Sequence, residues 1–90
     1  MTVRVRLFAV LRELAGATEV EASGRTVGDL AVALSSSYGG RFAQIVDVSS
    51  FVVNGDRADR STVVAEGDEV AILPPVSGGT LLTTGSASRP

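Results

Sequence analysis

The sequence contains no cysteine, no histidine, no lysine and no tryptophan. Without Cys or His there is no disulfide, no thiol nucleophile, no Cys/His zinc or iron–sulfur site, and no imidazole for acid–base work at neutral pH. Aromatic residues are scarce, with three Phe and one Tyr. All eight basic residues are Arg, and ten acidic residues leave a net charge of −2, so the basic footprint of a nucleic-acid binder is missing. Long apolar runs are missing too. Leu7 to Leu11 is closed by Arg12 and Glu13, and the stretch from Val70 to Val76 carries two prolines. A signal peptide needs roughly 7–15 apolar residues and a membrane helix about 20. The expectation is a cytoplasmic protein that binds no nucleic acid, no membrane, no metal and no cofactor of its own. Any chemistry it joins uses something other than the usual catalytic side chains.

What is present is apolar and β-branched. Apolar residues make up 44% of the ninety, and fourteen are Val, which suits one small globular domain with a sheet. Val3, Val5 and Leu7 alternate with Arg4, Arg6 and Phe8, the period of a half-buried strand. From Ala9 to Ala15 the spacing of Val10, Leu11 and Leu14 predicts a short helix stopped by Gly16. A second strand is expected over Glu19 to Ala22. Thr26, three residues before Asp29, forms a capping-box pattern ahead of Val27, Leu30, Ala31 and Leu34 at helical spacing. Tyr38-Gly39-Gly40 ends that helix. Arg41 to Val48 is read as one irregular helical turn packing Phe42, Ile45 and Val46. Phe51-Val52-Val53 is a strand, Asn54-Gly55 a two-residue hairpin turn, and Asp56 to Asp59 the return. After the turn at Glu66-Gly67-Asp68, a last strand over Glu69 to Leu73 stops at Pro74-Pro75.

One main helix across a mixed four- to five-stranded sheet, with the last strand in the middle beside the first, is an α+β arrangement of the β-grasp (ubiquitin-like) kind. Residues 1–79 would form this domain with a Gly-Gly tail, and residues 80–90, poor in large apolar side chains, a disordered extension.

Four pieces in series carry a family resemblance: Leu7-Phe8-Ala9-Val10-Leu11-Arg12-Glu13-Leu14-Ala15-Gly16, Thr26-Val27-Gly28-Asp29-Leu30, Val53-Asn54-Gly55, and Gly67-Asp68-Glu69-Val70 leading to Pro74-Pro75-Val76-Ser77-Gly78-Gly79. Together they resemble the MoaD/ThiS family of ubiquitin-like sulfur carriers, most closely the molybdopterin synthase small subunit. The resemblance implies that the reactive group is the carboxylate of a terminal Gly79, with Gly78 beside it. A partner, an adenylating E1-like enzyme, would use ATP to turn that carboxylate into an acyl-adenylate, and sulfide would then give a thiocarboxylate. The chain would act as a co-substrate and subunit in molybdenum cofactor biosynthesis, not as an enzyme. Cysteine or thiamine-thiazole synthesis, or ubiquitin-like protein modification, are the alternative uses of the same terminus. Two glycines let the tail thread a narrow channel and adopt positive φ, while Pro74-Pro75 stiffen its root. Extended, the chain from Pro75 to Gly79 reaches roughly 16 Å.

The family pattern ends at Gly-Gly, whereas here Thr80 to Pro90 follow. An internal amide at Gly79 leaves no carboxylate to activate. Either a peptidase cleaves after Gly79, or the extension is foreign to the natural chain, or the chain is inactive as a carrier; processing is the expectation adopted. Strand parity also places Phe8, Ala71 and Leu73 on the face opposite the core. The resemblance makes this face, bordered by Arg57 and continued by Pro75 and Val76, the docking surface for the adenylating enzyme and the synthase large subunit.

Overall fold

The computed structural model describes residues 2–75. The tail residues Val76, Gly78 and Gly79 and the extension over 80–90 lie outside the described residues. The chain runs β1 (Val3–Leu7), α1 (Ala9–Ala15), β2 (Glu19–Ala22), α2 (Val27–Tyr38), α3 (Gly40–Asp47), β3 (Ser50–Val53), β4 (Asp56–Ala58) and β5 (Glu69–Leu73). The five strands form one sheet in the order β2-β1-β5-β3-β4. β5 lies parallel to β1 and antiparallel to β3, and the β1–β2 and β3–β4 pairs are antiparallel. This mixed sheet with helices packed against it is the expected β-grasp architecture.

The alternation in the first strand sets the layering. Val3, Val5 and Leu7 are buried while Arg4 and Arg6 are exposed. Val70 and Ile72 on β5 and Phe51 on β3 join them on the covered face. Val27, Leu30, Ala31 and Leu34 of α2 close over these side chains. Among the described residues no polar or charged side chain is buried.

The α2 N-terminus forms as its residues dictate. The Thr26 hydroxyl accepts a hydrogen bond from the Asp29 N–H (3.2 Å), and the Asp29 carboxylate accepts from the N–H of Thr26 and of Arg25. The loop before β5 straps this end as well: the N–H groups of Val27 and Gly28 donate to the carbonyls of Thr62 and Arg60. Orphan donors of the first helical turn are thus satisfied.

Two expectations need correction. Residues 40–47 form a full helix, α3, and not a single irregular turn, and it packs chiefly against α2. Gly39 makes the reversal possible, because its φ of +99° with extended ψ is open to glycine alone. Phe42 and Val46, one helical turn apart, are both buried; Phe42 is the largest fully buried side chain, and its ring centre is 5.2 Å from that of Tyr38. The return strand β4 also ends one residue early, at Ala58. Asp59 leaves the ladder because its carboxylate accepts hydrogen bonds from the Ser61 N–H and hydroxyl.

Candidate functional site: the open sheet face and the exit of β5

With the helices on one side, the other face of the sheet is uncovered among the described residues. The strand registers lay out its side chains in rows. Arg4 stands between Glu21 and Glu69, and Arg6 between Glu19 and Ala71. Ala71 in turn faces Val52, which faces Arg57, while Leu73 faces Ser50. One half of the face is therefore charged and the other carries an apolar group of Val52, Ala71 and Leu73, each half-buried.

The ion pairs on the charged half are loose. Arg4 approaches Glu19 at 3.8 Å and Arg6 approaches Glu69 at 3.7 Å, every one of these side chains being partly open to solvent. Such pairs contribute little to stability, so they can be exchanged for a partner's charges at small cost. No group of three or more His, Cys, Asp or Glu able to hold a metal is found among the described residues.

Phe8 caps α1 with an extended backbone (φ −129°, ψ 154°), so the parity of β1 continues into it. Leu7 pairs with Ile72, and one step further in the same register brings Phe8 level with Leu73. Phe8 is half-buried. Arg57, exposed on the edge strand, borders the apolar half through its pairing with Val52. Pro74 is half-buried and Pro75 exposed directly beyond β5. The sheet thus brings Leu73, Ala71 and Arg57 onto one face, with Phe8 and Pro75 at its β5-exit end. Val52, at the centre of the group, was missing from the sequence-based set. Its signal was the parity of β3, in which an inward Phe51 sends Val52 outward.

The acids near the turns serve the turns. Hydrogen bonds to Ser61 hold the Asp59 carboxyl below its ordinary value, and that of Asp68 is lowered by the Asn54 side chain and the Ala65 N–H.

The sequence profile of the ThiS family matches residues 5–79. The chain belongs to the ThiS family. Its members are small ubiquitin-fold carrier and modifier proteins without catalytic activity of their own, and this chain is accordingly a carrier-type protein, not an enzyme. It is 38% identical over 84 residues to small archaeal modifier protein 1 of Haloferax volcanii, covering 82% of this chain and 97% of that one. It is 37% identical over 93 residues to the sulfur carrier protein CysO of Mycobacterium tuberculosis, covering 88% and 100%. The crystal structure of the BexX/CysO complex from Amycolatopsis orientalis contains a chain that superposes with a TM-score of 0.72 at 30% identity, covering 86% of this chain and 99% of that one. Against a molybdopterin synthase sulfur carrier subunit from Phaeosphaeria nodorum the match is 55% identical but spans 38 residues, 41% of this chain. A special likeness to the molybdopterin synthase small subunit, expected from the motifs, is therefore not carried by these full-length matches. They establish a sulfur-carrier family member in the wider sense.

No helix among the described residues is long and apolar enough to cross a membrane.

Proposed function

We propose that this protein carries sulfur as a thiocarboxylate on Gly79, made available by removal of residues 80–90, and that the open sheet face docks the enzyme that activates it. The observation that carries this reading is the extent of the family match, which stops at Gly79 with eleven residues beyond it. The chemistry needs only a free main-chain carboxylate. On a partner enzyme the carboxylate oxygen attacks the α-phosphorus of ATP and pyrophosphate leaves, forming the acyl-adenylate; sulfide then attacks the carbonyl carbon and AMP leaves. This chain supplies the acyl group and the docking surface, and the partner supplies nucleotide binding. Phe8, Val52, Ala71 and Leu73 give the apolar centre of that surface, Arg57 its polar rim, and Pro75 and Val76 the root of the tail. Apolar centres with charged rims are the usual anatomy of such contacts.

The likeness to the sulfur carrier protein CysO supports a destination other than molybdopterin synthesis, namely sulfur delivery to cysteine or thiamine-thiazole synthesis, beside the molybdopterin use. A second reading, protein modification through an isopeptide to a target Lys, is favoured by the likeness to small archaeal modifier protein 1. With no Lys of its own, the chain could not build Lys-linked chains on itself.

Intact mass of the protein isolated from its native host tests the proposal. A species ending at Gly79, heavier than the free acid by the difference between sulfur and oxygen, is expected. A Lys adduct on another protein would instead establish the modifier reading, and an uncut chain throughout would overturn both.

A further inference from the structure

Asn54 is the only asparagine of the chain, and glycine follows it. An Asn-Gly step is chemically fragile, because an unhindered glycine nitrogen can reach the preceding carboxamide carbon. In this fold the carboxamide is not free. Its Oδ1 accepts a hydrogen bond from the Glu69 N–H at 2.9 Å, and its Nδ2 donates to Oδ1 of Asp68 at 3.1 Å. The other Asp68 oxygen accepts from the Ala65 N–H at 2.8 Å, so the clamp is itself anchored. The Asn54 N–H donates to the Glu69 carbonyl at 2.8 Å. Both ends of the carboxamide are thus committed to Asp68 and to Glu69 at the start of β5, fourteen and fifteen residues along the chain. Nothing comparable restrains Gly55, which has φ +87° and open space around it.

We propose that Asn54–Gly55 is a latent deamidation site, held shut by the clamp from Asp68 and the Glu69 amide. When the clamp opens, the Gly55 nitrogen bonds to Cγ of Asn54, Nδ2 leaves as ammonia, and a cyclic imide results. Water then opens the ring to aspartate or isoaspartate. Either product removes the donor that faces Asp68 and sets a carboxylate against a carboxylate. Isoaspartate also lengthens the main chain within a two-residue turn, whose geometry tolerates no extra atom. The site is a one-way timer on the hairpin that carries Val52 and Arg57.

The full-length protein, Asp68→Ala and the wild type unfolded in urea are incubated at neutral pH. The one-step mass gain and the isoaspartate content are then followed. A single Asn makes the intact-mass readout unambiguous. The folded wild type should deamidate slowest, the urea-unfolded chain fastest, and folded Asp68→Ala at least about tenfold faster than wild type, in line with the loss of a charge-assisted hydrogen bond. If Asp68→Ala does not fold, Asp68→Ser, which keeps a short polar side chain, drops the charge and adds no second asparagine, replaces it, with a smaller acceleration expected. A folded variant that deamidates no faster than the wild type overturns the proposal, since the hairpin alone would then be the protection. Asn54→Asp should lower stability, and adding Asp68→Asn should restore part of it; no rescue would remove the carboxylate opposition from the account.

Discussion

Ala71 and Val52 face each other across β5 and β3 on the side of the sheet that the helices leave uncovered, with Arg57 next in the row. This pairing joins the central strand that leads to the tail with the hairpin at the far edge. Under the proposed function, a partner that grips the pair would also grip the root of the terminus it activates. Replacing Val52 with Asp should weaken binding to the adenylating enzyme by at least about tenfold, as expected for a charge placed in an interface centre. Phe8→Asp should act in the same direction. Calorimetry measures both, with circular dichroism confirming the fold. Unchanged affinity of folded variants would remove this face from the docking surface.

The terminus makes a sharper demand. A protein ending at Gly79 should support ATP–pyrophosphate exchange by its activating enzyme, and the ninety-residue chain should not. Ending the chain at Gly78 should abolish exchange again, because the carboxylate falls about 3.5 Å short. Exchange by the uncut chain would show that Gly79 is not the reacting residue.

Phe42 fixes α3 to the core. Phe42→Ala should cost about 3–5 kcal/mol of stability, and Leu30→Ala under α2 about 2–5 kcal/mol. Denaturant unfolding reads both. A loss below 1 kcal/mol (roughly the cost of a surface change) for Phe42→Ala would contradict its burial.

The helix cap gives a smaller, local effect. Thr26→Ala removes the acceptor of the Asp29 N–H and should cost about 0.5–2 kcal/mol, with thermal unfolding as the measurement. Thr26→Ser should restore most of it. A Ser variant as unstable as the Ala variant would point to the methyl group instead of the hydroxyl.

Acid should loosen the two hydrogen-bonded turns. The Asp59 and Asp68 carboxyls lie below the ordinary 3.8 in the fold, Asp59 chiefly through Ser61 and Asp68 chiefly through Asn54. Groups depressed by folding add stability above their unfolded value, and that stability is lost as pH falls through the folded one. The stability gap between wild type and the Asp59→Asn or Asp68→Asn variants should therefore be full at about pH 5 and close progressively below about pH 4. A gap unchanged down to about pH 2 would show that the carboxylate charge plays no part.

Much of this molecule is local and was legible as such. The alternation in residues 3–7, the Thr26–Asp29 box, the Asn54-Gly55 turn and the Pro74-Pro75 stop involve neighbours a few positions apart, where the chain's own geometry decides the outcome. The absence of Cys and His, which excludes thiol and imidazole chemistry, is likewise a property of the sequence alone. The helix over residues 40–47 was less legible because its apolar stripe is short, and only burial of Phe42 under α2 makes two turns worthwhile. Register across the sheet belongs to the tertiary structure alone. That Val52 meets Ala71, and that Asn54 meets Asp68, depends on how strands far apart in sequence align. No local preference encodes that alignment; it is selected by which slide of the strands buries Val70, Ile72 and Phe51 together.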